Sequence, residues 1–356
     1  VSANRVKGSD VMDMNERKIR ILEAIIRDYI QTGDPVGSRT ISKKYDLGVS
    51  SATIRNEMAD LEELGFIMQP HTSAGRIPSD KGYRLYVDNL MERKHVNPEI
   101  ERIITDMIRQ KINRIDTLVE ETAKLIAMLT NYATIASTTS ITQPKIKHLQ
   151  IVPIDDKSVV CVVVTDGNIV KNHIIRTPEE LDFNLCMLLT NSLNETLSGT
   201  TLNEISLEKI KTSIEEKMKG YGDLAVNVLQ AIHDTLGHEE LPDIFIRGAN
   251  NILDLQEFGN KEKTREIFKL FEEKLHLVKL LDHNPNHKTT IRIGEENIFT
   301  PMKDCSIITT SYSIGGYTLG NIGIIGPTRM DYGQVVSVLE YVTTHITSML
   351  NETNDS

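Results

Sequence analysis

Between Ser51 and Leu64 the chain sets two kinds of residue on opposite sides of one helical repeat. Ile54, Met58, Leu61 and Leu64 recur at threes and fours and predict a buried face. Ala52, Asn56, Ala59 and Glu63 fall on the other side, flanked by Thr53 and Arg55. The chemistry open to that outer side is recognition rather than bond making. Small side chains let a helix backbone approach a partner closely. An Asn amide pairs with an adenine edge, and Arg pairs with a guanine edge or a phosphate. Ser50, Ser51 and the helix N-terminus add hydroxyl and amide donors that suit phosphate oxygens. Arg39, Lys43 and Lys44 lie just upstream, and Arg76 follows Ser73 and Gly75 in a run of small residues downstream. One Arg among small residues suits a phosphate backbone or a minor groove. The acids Glu57, Asp60, Glu62 and Glu63 gather toward the helix C-terminus, so the N-terminal end is the one expected to face a polyanion. Ser50 and Ser51 read equally well as caps, and Arg39 or Lys44 as solvated surface charges.

These residues depend on short elements around them. Asn15 is a plausible N-cap for a first helix, with Ile19, Leu22, Ile25, Ile26, Tyr29 and Ile30 on one stripe and a stop at Gly33-Asp34-Pro35. A second helix is expected from Ser38 to about Tyr45, followed by the turn Asp46-Leu47-Gly48-Val49. After the third helix, Phe66-Ile67-Met68 and Gln69 to Pro78 read as a hairpin about the tip Thr72-Ser73-Ala74-Gly75. Ser79 caps a further helix, Asp80 to Met91. Three helices and a hairpin make a winged helix-turn-helix, expected over 14–93, in which the third helix enters a DNA groove. The same unit also occurs as a protein-interaction module.

The remaining sequence changes texture twice. An amphipathic stretch from Asn97-Pro98 to Ile126 suits either a core helix or one that pairs between subunits. Leu149 to Ile154, Val159 to Thr165 and Ile169 to Ile175 read as an antiparallel meander. Helical pattern follows from Pro178 to about His238, then a strand at Asp243 to Arg247 and a helix from Lys261 to Leu281. Strands return at Thr289 to Ile293, Ser306 to Ser313 and Gly320 to Ile325, before a last helix, Tyr332 to Leu350. Strands before and after a helical block predict one α+β sheet domain interrupted by an insertion. The expected divisions are a disordered leader at 1–13, the head at 14–93, sheet domain at 94–177 and 283–356, and insertion at 178–282.

Composition narrows the classes. The 356 residues carry a formal net charge of −10, which argues against coating nucleic acid by bulk charge but leaves room for a local reading head. Cys161, Cys186 and Cys305 are odd in number and far apart, so neither a disulfide framework nor a zinc ribbon is expected, and a reducing cytoplasm is the natural compartment. Apolar runs such as Val159 to Val164 are too short to cross a bilayer, and no membrane partner is expected. Gly315-Gly316, Gly320, Gly323 and Gly326 lack a following Gly-Lys-Ser/Thr and read as hairpin glycines. His283 and His287 flank Pro285 in a loop, and Asp155-Asp156 reads as turn chemistry. No catalytic constellation, cofactor or metal site is expected.

The runs Pro35 to Tyr45, Ser50 to Ile67 and Gly75 to Arg84 are long and ungapped, and they resemble the bacterial heat-inducible transcription repressor HrcA family. The resemblance extends over essentially the whole chain after about Met14. It implies an α+β multidomain protein: a winged helix-turn-helix, then a GAF-like antiparallel α/β domain interrupted by an inserted, mostly helical dimerising domain. It further implies a homodimeric repressor on CIRCE, an inverted-repeat operator in double-stranded DNA ahead of chaperonin and chaperone operons. The chaperonin is the implied partner that keeps the repressor active, and heat releases repression. The alternative carried forward is a ligand-gated regulator whose GAF-like domain senses a small molecule.

Overall fold

Asn15 starts the first helix, α1 (Glu16–Thr32), by accepting the Lys18 amide at 2.8 Å. The helix ends at Gly33, whose φ of +74° is one that glycine adopts without strain. Next come α2 (Ser38–Lys44) and α3 (Ser51–Glu63). Ser50 caps α3 by accepting the Thr53 amide at 3.1 Å. Ile21, Leu22, Ile25 and Ile26 of α1, Ile41 of α2, and Ile54, Met58 and Leu61 of α3 are buried. Each such side chain taken from water contributes roughly 1.5–3 kcal/mol. Strands β1 (Ile67–Met68) and β2 (Ile77–Pro78) pair antiparallel as the expected ribbon. Ser79 then caps α4 (Asp80–Leu85), accepting from the Gly82 amide at 3.1 Å and donating to the Gly65 carbonyl at 2.6 Å. The helix expected to reach Met91 instead loosens into a π-turn at Tyr86–Leu90.

This computed structural model describes residues 14–71, 74–111, 115–138, 145–155, 157–165, 170–177, 181–200, 207–218, 221, 225–230, 242–282, 288–314 and 317–354. The expected leader, Ser73, Gly315-Gly316, His283 and His287 lie outside them. The chain divides into two units. The first holds Val1–Thr138, Asp243–Tyr312 and Gly320–Met349; the second holds Thr139–Pro242, Ser313–Leu319 and Leu350–Ser356.

In the first unit, α5 (Pro98–Lys111) and α6 (Ile115–Thr130) bury Ile104, Ile108, Leu118, Val119 and Ile126 within the chain, so their apolar stripe serves a core. Strand β3 (Ala133–Thr138) was not foreseen. Its first five residues are all buried, so it shows no alternation to read. It pairs antiparallel with both β7 (Ile244–Arg247) and β10 (Tyr317–Pro327), in a sheet of order β7-β3-β10-β9-β8 that includes β8 (Thr289–Ile293) and β9 (Cys305–Ile314). Helices α9 (Lys261–Glu272) and α10 (Lys274–Leu280) place Ile267, Phe271, Leu277 and Leu280 in one core with Ile135, Ile307 and Ile325. The single helix expected here breaks at Glu273, whose backbone is extended. The last helix, α11 (Tyr332–Asn354), buries Val335, Val338, Leu339, Val342 and Ile346.

The second unit contains the expected meander, β4 (Ile146–Asp155), β5 (Ser158–Thr165) and β6 (Val170–Arg176), with α7 (Phe183–Leu197) and α8 (Leu207–Lys217). Leu149, Val159, Cys161 and Val163 share a core with Leu189, Leu193 and Ile214. Asn194 and Thr190 of α7 bond the main chain of edge strand β4 at Leu149 and Ile151. The division therefore differs from the one expected from texture. The meander belongs with α7 and α8 rather than with the later strands, and α9 and α10 belong to the five-stranded sheet rather than to the insertion. The architecture is α+β with antiparallel sheets. All three cysteines are free and buried, and burial pushes the Cys161 and Cys305 thiols up to about 12.

Gly82 packs so closely on the ribbon that a Cβ there would overlap the Phe66 carbonyl. Gly82→Ala should lower stability by about 1–3 kcal/mol in urea unfolding. Met68→Ala, at an exposed strand position, should shift it by less than about 0.5 kcal/mol.

Candidate nucleic-acid interface

The two faces read into α3 are present in space. Ile54, Met58 and Leu61 are buried, whereas Ala52, Arg55, Asn56, Ala59 and Glu63 are exposed. A helix sealed along one side cannot rotate about its axis, so Arg55 and Asn56 are held outward by the packing behind them. Neither makes a hydrogen bond or ion pair among the described residues. The same holds for Arg39 and Lys43, both exposed on α2. These four side chains, with Ala52 between them in sequence, form an open surface of donors around the N-terminal half of α3. Ser51 is half-buried in the first turn.

Other expected contact residues are already engaged. Lys44 reaches back to α1, donating to Asp28 at 2.5 Å and Gln31 at 3.1 Å. The hydrogen bond to the buried Asp28 carboxylate holds the Lys44 ammonium above its ordinary value. Ser50 is spent on capping, its hydroxyl lying 3.0 Å from that of Thr53. Arg76 is paired with Glu62 on α3, Nε to Oε2 at 2.9 Å and Nη2 to Oε2 at 2.8 Å. Its main chain bonds Val36 in both directions, at 2.8 and 2.9 Å. Gly75 sits so tightly against Pro35 and Val36 that any Cβ would overlap their carbonyls. Gly75 and Arg76 therefore fasten the base of the ribbon to the segment entering α2.

That fastening belongs to a wider charge pattern that spacing within α3 could not reveal. Glu57 lies 3.4 Å from Arg17 and 3.8 Å from Lys18, and Asp60 lies 3.0 Å from Lys18. The bond to Asp60 raises the Lys18 ammonium above its ordinary value. Three of the four acids of α3 are thus paired with bases from α1 and with Arg76, just before β2. Arg17 and Lys18 follow the Asn15 cap in sequence, and their i,i+4 surroundings carry no hint of a partner on α3.

Residues 116–336 match the family described as HrcA protein C terminal domain. A heat-inducible transcription repressor HrcA of Lachnoclostridium phytofermentans is 44% identical over 348 residues, covering 97% of this chain and 100% of that protein. The corresponding repressor of Ruminiclostridium cellulolyticum is 44% identical over 345 residues, covering 94% of this chain and 97% of its own. The crystal structure of a hypothetical protein at 2.2 Å resolution shares the fold, with a TM-score of 0.58 at 24% identity, over 96% of this chain and 100% of that one. The chain is an α+β protein with an exposed, donor-rich helix face at its N-terminal end. It belongs to the heat-inducible transcription repressor HrcA family.

The Arg76–Glu62 pair is partly open to water, so it contributes at most about 1 kcal/mol. Glu62→Gln should lower the urea midpoint slightly in low salt, and the difference should vanish near 1 M salt as the charges are screened.

Proposed function

We propose that the chain is a sequence-specific, non-enzymatic transcriptional repressor of heat-shock chaperone operons that acts in the cytoplasm. The N-terminal unit works as a winged helix-turn-helix, with α3 as the reading helix and the β1–β2 ribbon as the wing. The observation that carries this reading is the outward placement of Arg55 and Asn56, whose side chains have no partner among the described residues, over the buried Ile54, Met58 and Leu61. Asn56 and Arg55 contact base edges in the major groove, and Ala52 allows close approach. Arg39, Lys43, Ser51 and the free amides at the start of α3 contact phosphate. Arg76 acts indirectly, since holding Glu62 keeps a negative charge paired and fixes the wing.

The operator is a CIRCE-type inverted repeat, read by a homodimer with one head per half-site. Self-association is supported by the second unit. Val152 and Ile154 of β4 and Val170 and Ile174 of β6 are exposed on the sheet face opposite its core, with Val160, Val162 and Val164 of β5 half-buried between them. An apolar sheet face of this kind marks a protein contact. The five-stranded sheet of the first unit is the GAF-like domain, and the second unit is the inserted dimerising domain. Chaperonin keeps the repressor active, and heating removes operator binding until chaperonin restores it.

Arg55→Ala and Asn56→Ala should each lower discrimination between operator and scrambled duplex by roughly 1–3 kcal/mol in gel-shift titrations. Arg39→Ala and Lys43→Ala should weaken both duplexes alike and reduce the slope of log K against log salt by about 1 each. Unchanged preference in both α3 variants would end the reading-helix assignment. In the second unit, Val152→Asp with Ile174→Asp should convert dimer to monomer in sedimentation while the melting temperature stays within a few degrees.

A further inference from the structure

Two guanidinium groups cross in opposite directions between the N-terminal helices and the five-stranded sheet domain, both inside the first unit. Arg84 of α4 is buried and runs outward from the head. Its Nε donates to Glu296 Oε1 at 2.9 Å, and its Nη2 to Glu296 Oε2 at 2.5 Å and to the Ile291 carbonyl at 2.6 Å. Its Nη1 donates to Asp88 at 3.1 Å, so all three nitrogens of the fork are engaged. Glu296 is itself fixed, accepting the Ile293 amide at 2.9 Å. Arg329 runs the other way. It is paired with Glu257 at 2.6 Å and donates to the Ile30 carbonyl, at the C-terminal end of α1, at 3.2 Å.

Between these crossings, Asp80 accepts the Glu295 amide at 3.0 Å above Gly294. Gly294 has a φ of +54°, and a Cβ there would collide with the Asp80 carboxylate. The Tyr83 and Tyr332 rings lie 5.9 Å apart, centre to centre, on the same seam. A bidentate guanidinium–carboxylate pair fixes direction as well as distance. Arg84–Glu296 is such a pair, on α4, while Arg329, held by Glu257 on its own side, adds a single bond to the end of α1; together the two crossings oppose rocking of the head. None of these contacts touches the exposed side of α3.

The geometry points to Arg84 and Glu296 as positioning residues that hold the DNA-reading head at one fixed attitude on the sheet domain, so that the protein measures the spacing between half-sites. This rests on the operator reading given above. A head on a loose tether tolerates any spacer its reach allows, whereas a clamped head accepts only the spacer that presents both grooves correctly.

The test uses the full-length protein and the double variant Arg84→Met, Glu296→Gln, which removes the pair without stranding a buried charge and keeps the bond to the Ile293 amide. Gly294→Ala serves as a second variant that wedges the same seam without touching either residue. Each is titrated against one half-site, the CIRCE repeat, and the repeat lengthened by about 5 bp, roughly half a helical turn. Wild type should lose about a hundredfold in affinity on lengthening, because the second head can no longer engage. The variants should lose less than about tenfold, with half-site affinity within about twofold of wild type and faster amide exchange in α4 and β8.

Variants that stay as spacing-sensitive as wild type while exchange shows the seam opened would overturn the inference and leave the operator reading standing. Variants that bind the native repeat more tightly than wild type would also overturn it, since the clamp would then be restraining the head from DNA. Wild-type protein that binds repeat and scrambled duplex alike would remove the operator reading and this inference with it.

Discussion

Everything at the N-terminal end depends on how α3 is seated. Ile54, Met58 and Leu61 are buried, and α1 and α2 supply the wall they fill with Ile21, Leu22, Ile25, Ile26 and Ile41. Interiors packed to crystalline density resist small displacements, so the opposite side of the helix is held as firmly as the core. Arg55 and Asn56 need no second set of contacts to orient them. Their lack of partners among the described residues follows from that arrangement: the core does the positioning, and the polar groups stay unspent.

The charge arrangement follows the same logic. A chain with a formal net charge of −10 can still present a basic surface if its acids are paired locally. On α3 this is done from outside the helix, by Lys18 and Arg17 against Glu57 and Asp60 and by Arg76 against Glu62. These pairs add little to stability where they are exposed. Their consequence is electrostatic: the C-terminal half of α3 carries much less net negative charge than its composition suggests, while Arg39, Lys43 and Arg55 have no ion-pair partner among the described residues.

Much of this was legible in the sequence because it is local. The faces of α3, the Ser50 and Asn15 caps, the ribbon and the β4–β6 meander all come from period and turn residues acting over a few positions. The intrachain partners of Lys44 and Arg76, Asp28 and Glu62, are not legible in the sequence, since they lie 16 and 14 residues away, beyond any helical spacing. Gly75 reads as one of the small residues at the hairpin tip, but Pro35 and Val36 leave no room for a side chain there. Strand β3 carries no alternation because both of its faces are covered. The contact-based division between units differs from the one texture suggests for a related reason, since texture records which element a residue joins and not which core that element enters.

The seam between head and sheet domain is the part of the structure that local pattern says least about. Arg84 and Glu296 are 212 residues apart, and Arg329 and Ile30 are 299 apart. Such contacts require the sheet to be in place, because Ile291 lies on β8 and Arg329 follows β10, which pairs with β3. Dependence of this kind ties the seam to the folded sheet. Loss of the sheet would remove Glu296, Ile291 and Arg329 together and free the head, although the three-helix core contains none of those residues. Under the proposed function, the reading surface would survive local damage to the sheet while its orientation would not.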